Sequence, residues 1–260
     1  MTKRRVVITG LGLISPVGNT VATAWEAILK GQSGVGPITH FDADGFAVRI
    51  AAEVKGFDPT RHIEPKEARK MDTFIQYGVV AALQAMDDAG LGVEGANPER
   101  VGVCIGSGIG GLPGIEEGHR AFLRGGPRKI TPFFVPRSIV NMIAGHLSIM
   151  RGLKGPNLAV ATACTTATHS IGLAAPTIAY GHADPMVAGG AEMATTYTGL
   201  GGFAAAKALS TRNDDPGGAS RPWDRGRVGF VLGEGAGVLV VVVIEYAKRR
   251  GGAPHAEVFG

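Results

Sequence analysis

The sequence has little cysteine, few aromatic residues and no long apolar segment. Of its 260 residues, two are cysteines (Cys104 and Cys164) and 6% are aromatic. Two isolated cysteines give no spacing for a disulfide framework or a metal site, so we predict no bound metal and a reducing, cytoplasmic location. The longest apolar run, 238–244, is too short to cross a membrane, and no apolar stretch follows the basic residues near Met1. We therefore expect neither a membrane segment nor a signal peptide.

The sequence also lacks a strong charge of either sign. Lysine and arginine number 26 against 22 acidic residues, a formal charge of +4. Nucleic-acid binding needs clustered basic side chains interleaved with aromatic readers, and no such interleaving is visible, so we predict no nucleic-acid partner. Three short basic clusters remain, which on their own are equally typical of solvated loops and helix ends. They are Lys66/Arg69/Lys70, Arg128/Lys129 and Lys248/Arg249/Arg250.

Glycine, in contrast, is abundant, and strand and helix patterns alternate. The 41 glycines are dispersed without a triplet repeat, which indicates tight turns and close backbone packing. The alternation predicts an α/β fold in which helices cover a mixed, mostly parallel sheet. Predicted strands cover 5–9, 48–54, 101–105, 158–163, 185–189 and two segments of 229–243; predicted helices cover 20–30, 72–89, 136–150 and the segment after 164. Pro176 predicts a kink or an end in the last of these helices.

Cys164 lies where the predicted strand 158–163 passes into a helix. Unpaired N–H groups and the helix dipole favour negative charge at such a junction, and the thiolate is the nucleophilic form of cysteine. The junction therefore favours a nucleophile that forms a thioester, whereas an average cysteine is more often a buried structural residue. His169 is close in sequence, but its helical position predicts that it points away from the thiol.

Two further patterns bear on the kind of site. The loop 106–111 has the glycine spacing of a dinucleotide-binding loop, but no acidic residue follows about 20 positions later, so we do not predict a nucleotide site. We expect Glu192 and Glu234 to be buried hydrogen-bonding groups rather than an acid/base pair.

An ordered set of motifs extends over nearly the whole chain. They occupy 6–12, 106–111, 126–136, 161–166, 187–192, 208–213, 220–224 and 229–237. Together they resemble the β-ketoacyl–acyl-carrier-protein synthases, most closely the elongating enzymes of type II bacterial fatty acid synthesis. The resemblance implies a thiolase-like fold of two pseudo-symmetric halves. Residues 1–250 would form the layered α/β/α N-terminal half, and 251–260 would begin a second half that is largely missing and would carry two catalytic histidines and a lysine.

The resemblance also implies a reaction and its residues. In this family an acyl group moves from a carrier protein to the cysteine, and a carbanion formed by decarboxylation of malonyl-carrier protein attacks the thioester. By position, Cys164 is the nucleophile, its N–H contributes to the oxyanion hole, and Ile109, Phe134 and Phe203 line or gate the acyl pocket. The basic residues that would dock the acidic carrier protein are Lys66, Arg69, Lys70, Arg128, Lys129 and Lys207. No cofactor is implied, since phosphopantetheine arrives on the carrier protein, and a homodimer is implied.

The sequence departs from the family pattern at Pro176, Val228 and 241–242. The departure at 241–242 leaves an unbroken run of valine and leucine, which would be an aggregation hazard on an unpaired edge strand. Two alternatives to an enzyme stay open. One is a non-catalytic partner subunit like the chain-length factors of polyketide systems, against which Cys164 argues, and the other is a binding fragment without turnover.

Overall fold

A computed structural model describes residues 4–92, 96–251 and 253–259, which form a six-stranded sheet between layers of helices and a separate two-stranded ribbon. The strands are β1 (Val6–Ile14), β2 (Gly36–Pro37), β3 (Ile50–Ala51), β4 (Gly102–Gly106), β5 (Asn157–Leu158), β6 (Pro185–Glu192), β7 (Gly235–Val243) and β8 (Ala256–Glu257). The helices are α1 (Val21–Leu29), α2 (Pro65–Ala68), α3 (Thr73–Asp88), α4 (Leu112–Gly125), α5 (Phe134–Ser138), α6 (Met142–Arg151), α7 (Thr166–Ala179), α8 (Tyr197–Ala205) and α9 (Ile244–Arg249).

The large sheet has the strand order β5-β4-β6-β7-β1-β8. β4 pairs in parallel with β5 and β6, whereas β7 is antiparallel to β6 and β1, and β8 is antiparallel to β1. The strands β1, β4, β5 and β6 therefore run in one direction and β7 and β8 in the other. The prediction of a mixed, mostly parallel sheet with helices on its faces is confirmed.

The valine run forms β7, in the interior of the sheet. Val240 and Val242 contribute to the core that includes α3, while Val241 and Val243 contribute to the core that includes α7. A strand that is covered on both faces is apolar at every position, which explains the unbroken run. Because β7 is paired with β6 on one side and β1 on the other, it is not the exposed edge on which such a run would promote aggregation.

Glycines in β1 allow α3 to lie directly on the strand. A Cβ atom at Gly10 would lie 2.1 Å from the carbonyl oxygen of Ala85, and one at Gly12 would lie 1.8 Å from that of Ala81. The sequence pattern predicted that the strand ends at residue 9. The strand instead continues to Ile14, because these glycines accommodate the helix rather than turn the chain.

The predicted helices 20–30 and 72–89 form as α1 and α3. The side chain of Thr20 caps α1 by accepting the Thr23 N–H at 3.2 Å. Gly90 follows α3 with a φ of 58°, a left-handed conformation that glycine adopts without strain. Among the helices that the structure describes, none combines the length and apolarity needed to cross a bilayer.

Several element boundaries differ from the predicted ones. The predicted strand 158–163 is limited to β5, because residue 160 crosses over the end of β4: a Cβ at Gly106 would lie 2.0 Å from the Val160 carbonyl oxygen. The predicted strand 48–54 is limited to β3, whose partner β2 has two residues. The predicted helix 136–150 is divided into α5 and α6, since Ile139 is extended. In 229–243 one strand forms instead of two, and Phe230 and Gly233 make single bridges to Leu209 and Ala52.

Two expectations concern the end of α7 and the end of the chain. α7 ends at Ala179, three residues after Pro176, so the proline lies within one turn of the helix end, as predicted. The predicted division at residue 250 stays a prediction. Ala256 and Glu257 extend the same sheet as β8, and Gly260 lies outside the described residues.

The contact between β1 and α3 gives a testable prediction. We expect Gly12→Ala to lower the free energy of unfolding by about 3 kcal/mol or more, because the added methyl group forces β1 and α3 apart. Gly36→Ala, in β2, is the control, since a Cβ there meets no atom within 4 Å. Urea titrations of both variants measure the difference. Equal stabilities of the two would contradict the close packing described here.

Candidate functional site

Cys164 lies in a short turn that leads into α7. Ala163 before it has a φ of 53°, an uncommon conformation for a residue with a side chain, and residues Ala163–Thr165 form a 3₁₀ turn. The Thr166 hydroxyl accepts the Thr162 N–H at 2.9 Å and donates to the Ala163 carbonyl at 2.8 Å. The Thr165 hydroxyl donates to the Thr162 carbonyl at 2.7 Å. These bonds hold a conformation that directs Cys164 outward.

The two cysteines have opposite environments. Cys104, in β4, is buried, whereas Cys164 is exposed. Burial raises the pKa of the Cys104 thiol, so that residue is the structural cysteine of the pair. The position of Cys164 therefore favours the nucleophile over the buried structural alternative.

The Cys164 turn lies against the carboxyl ends of β4 and β6. A Cβ at Gly108 would lie 3.3 Å from the Ala163 Cα, and one at Gly190 would lie 3.1 Å from the Ala167 Cβ. Glycine at these positions lets the turn pack closely against the sheet. A larger side chain at either position would push the turn away. These two glycines of the motifs therefore help to position Cys164.

A cavity of about 620 Å³ opens beside Cys164. It is lined mainly by apolar residues, among which are Ile109 and Phe203, so the structure brings these two predicted pocket residues and Cys164 together. The sequence analysis missed Phe230, whose ring lies 5.5 Å from the Phe203 ring, edge to face, and also lines the cavity. It lies in the segment 229–243, for which the sequence analysis predicted strands and no pocket residue.

Phe134 is not part of this lining. It begins α5 and packs against α4, where a Cβ at Gly118 would lie 2.6 Å from its ring. Among the basic positions, Lys70 contacts the neighbouring segment, with its Nζ 6.0 Å from the centre of the Phe133 ring. The segment 66–70 therefore lies beside the chain segment that follows Arg128 and Lys129 in sequence. Lys207 follows α8, near the Phe203 side of the cavity.

Glu192 and Glu234 are hydrogen-bonding groups in the wall of the cavity, as predicted. Glu192, at the end of β6, accepts the Ser107 hydroxyl and the Gly108 N–H at 2.9 Å each, and the Ile109 N–H at 3.1 Å. Burial raises the pKa of its carboxyl group. Because the carboxylate occupies the amides that a phosphate would need, the geometry argues against a nucleotide site at this glycine loop.

Glu234 is bound to a histidine that the sequence analysis did not single out. Its Oε1 lies 2.9 Å from His40 Nε2, and its Oε2 accepts the Tyr77 hydroxyl at 3.2 Å and the Val54 N–H at 3.1 Å. Burial alone would raise the pKa of Glu234, but the hydrogen bond and charge of His40 outweigh it and lower that pKa. The hydrogen bond to Glu234 in turn raises the pKa of His40. The two residues are 194 positions apart, so no local pattern could have paired them.

The helical position of His169 predicted that its side chain points away from the Cys164 turn. This prediction is wrong. His169 Nδ1 lies 2.8 Å from the Thr162 hydroxyl, so the ring reaches back to the start of the turn. It is absent from the lining of the cavity. Within residues 4–92, 96–251 and 253–259, no three His, Cys, Asp or Glu side chains are grouped as metal ligands would be.

The fold corresponds to that of known ketosynthases. A β-ketoacyl synthase from Burkholderia phymatum covers 99% of this chain with a TM-score of 0.89 and 34% identity, and 63% of that structure is matched. A type II PKS acyl-carrier protein in complex with its ketosynthase also matches 99% of the chain, with a TM-score of 0.88, 30% identity and 62% of that structure. The class that this fold defines is that of the thiolase-like ketosynthases.

The family follows from the sequence match. The model of the Beta-ketoacyl synthase, N-terminal domain, matches residues 3–246, and the chain belongs to this family. The chain is 62% identical over its full length to 3-oxoacyl-(acyl-carrier-protein) synthase 2 of Vibrio harveyi. It is 49% identical over 257 residues to the Staphylococcus aureus protein of the same name. The chain spans 63% and 62% of the length of these two relatives.

The ion pair between His40 and Glu234 gives a prediction for stability against pH. His40 has a folded pKa above its ordinary value of 6.5, so its contribution is complete below that value and is lost as the pH rises through the folded pKa. His40→Gln keeps a donor nitrogen near Nε2 but cannot titrate. We expect the stability advantage of the wild type over this variant to decrease between pH 6 and pH 9, measured by urea unfolding. An advantage that is constant or grows with pH would contradict the pairing.

Proposed function

We propose that the protein is a 3-oxoacyl-acyl-carrier-protein synthase of fatty acid synthesis, with Cys164 as the acyl acceptor. The observation that carries the proposal is the exposed thiol at the start of α7, which faces an apolar cavity large enough for an acyl chain. The names of the relatives support this activity. Localisation in the cytoplasm and the absence of a bound cofactor belong to the same proposal.

The proposed reaction has two stages. The Cys164 thiolate attacks an acyl thioester on the carrier protein, and the carrier's phosphopantetheine thiol leaves with the acyl group now on Cys164. Malonyl-carrier protein then loses CO₂, and its carbanion attacks the Cys164 thioester, which releases the thiolate and gives a 3-oxoacyl-carrier protein. The Cys164 N–H, which no backbone carbonyl accepts among the described residues, would stabilise the tetrahedral oxyanion.

Each part of the described site has a role in the first stage. Ile109 and Phe203 hold the acyl chain, with Phe230 as an additional wall. We assign the decarboxylation to the histidines and lysine that the resemblance places beyond residue 260. Phe134 lies outside this cavity, so it could line an acyl pocket only through the second subunit of a homodimer. We also propose that the protein forms this homodimer. We further propose that residues 1–250 form the N-terminal half of the fold and that 251–260 begin a second half.

The carrier protein would dock on the predicted basic residues, which we call the basic region. They are Lys66, Arg69, Lys70, Arg128, Lys129 and Lys207. Positive side chains attract an acidic partner and accelerate its association. The ketosynthase that was solved with its acyl-carrier protein supports a partner of this type. A non-catalytic, chain-length-factor-like subunit is disfavoured, because such subunits lack the nucleophile that Cys164 provides here.

The acyl transfer can be tested by intact-protein mass spectrometry after incubation with palmitoyl-carrier protein. We expect one acyl adduct on the folded protein and none on Cys164→Ala. Cys104→Ala is the matched control and should keep the adduct, because the Cys104 thiol is buried. An adduct that persists in Cys164→Ala, or none on folded wild type, would refute the proposed role.

Docking can be tested by reversing charge at exposed positions. We expect Lys66→Glu combined with Arg69→Glu to weaken carrier-protein binding roughly tenfold at low salt, since two exposed charge pairs contribute about 1 kcal/mol each at most. Lys154→Glu combined with Lys248→Glu, at two exposed lysines outside the basic region, is the charge-matched control. Titrations followed by fluorescence anisotropy give both affinities. Equal weakening in the two variants would show that only net charge matters.

A further inference from the structure

Glu192 connects the wall of the cavity to the Cys164 turn. We propose that Glu192 is a positioning residue that fixes Ile109 in the cavity wall and thereby sets which acyl chains Cys164 accepts, an inference that rests on the proposed acyl transfer. Neither a role in the reaction nor contact with the substrate is required of the carboxylate itself.

The carboxylate binds three consecutive residues of the loop that carries Ile109. One oxygen accepts the Ser107 hydroxyl, and the other accepts the N–H groups of Gly108 and Ile109. The Ser107 hydroxyl oxygen in turn accepts the Gly110 N–H at 3.0 Å. A single side chain from β6 therefore determines the path of four consecutive residues after β4.

The charge of Glu192 strengthens this connection. Its environment in the described part of the chain supplies N–H and O–H donors and no cationic side chain. Hydrogen bonds to an ionised acceptor are stronger than those between neutral groups. In Glu192→Gln the amide oxygen can still accept the Gly108 and Ile109 N–H groups, and the NH₂ group can donate to the Ser107 hydroxyl oxygen. The variant therefore keeps the shape of the side chain but replaces charge-assisted hydrogen bonds with weaker neutral ones.

The loop also touches the nucleophile turn. Gly108 lies so close to Ala163 that a Cβ on it would be 3.3 Å from the Ala163 carbonyl oxygen, and 2.8 Å from Glu192 Oε2. Ile109, the next residue, is 40% exposed and lines the same cavity as Cys164. Loss of the carboxylate contacts would let Ile109 withdraw, and the cavity would then accept longer chains without a change at Cys164.

The test compares Glu192→Gln with Glu116→Gln. Glu116, in α4, is a matched control because it also accepts a backbone N–H and the hydroxyl of one residue, Thr198, yet lies outside the cavity lining. The probes are palmitoyl- and hexanoyl-carrier protein, and the readout is the ratio of their acylation rates at Cys164. Amide hydrogen exchange at Gly108 and Ile109 is measured on the same samples. Ser107→Ala, which removes the partner of one oxygen, serves if Glu192→Gln does not fold.

We expect the palmitoyl-to-hexanoyl ratio to rise about tenfold in Glu192→Gln, and exchange at Gly108 and Ile109 to accelerate by a similar factor, because hydrogen bonds to a charged group become weaker bonds to a neutral amide. Glu116→Gln should leave both within twofold of wild type. A ratio in Glu192→Gln within twofold of wild type, or a fall, overturns the proposal. If the wild type is not acylated at all, the proposed function fails, and the exchange rates alone decide whether Glu192 holds the loop: unchanged rates refute it, and faster rates support it.

Discussion

The close approach of the Cys164 turn to the carboxyl ends of β4 and β6 is the contact on which the rest of the site depends. Gly106 accommodates the Val160 carbonyl, and Gly108 lies against Ala163, so the chain before α7 crosses the sheet at backbone distance. This crossing limits β5 to two residues and turns Cys164 toward the cavity. A side chain at either glycine would raise the turn from the sheet and move the thiol from the apolar wall.

Two carboxylates, the half-buried Glu192 and the buried Glu234, hold two parts of the cavity wall by different means. Glu192 is satisfied by hydrogen-bond donors of one loop, and burial raises its pKa. Glu234 is satisfied chiefly by His40, whose hydrogen bond and charge outweigh burial and lower the carboxyl pKa. The first wall therefore depends on backbone geometry, and the second depends on an ion pair that connects β7 to the segment before β3. Apolar walls with charged supports behind them combine a surface for an acyl chain with a fixed shape.

Sequence patterns were sufficient for features that depend on local chemistry. The helices 20–30 and 72–89, the alternating α/β pattern and the candidate Cys164 each follow from a few adjacent residues. Contacts between distant segments could not be predicted in the same way. The predicted strand 5–9 stopped short of Gly10 and Gly12 because α3, which needs these glycines, lies about seventy positions later. Phe230 and His40 escaped attention for the same reason, since their partners Phe203 and Glu234 are set by the fold.

The most direct measurement is a crystal structure of the protein with a palmitoyl group in thioester linkage to Cys164. The account predicts that the chain extends into the cavity between Ile109 and Phe203, with the carboxylate of Glu192 still bound to the Gly108 and Ile109 amides. An acyl chain that leaves Cys164 along the outer surface of α7, with the cavity closed or empty, would contradict it.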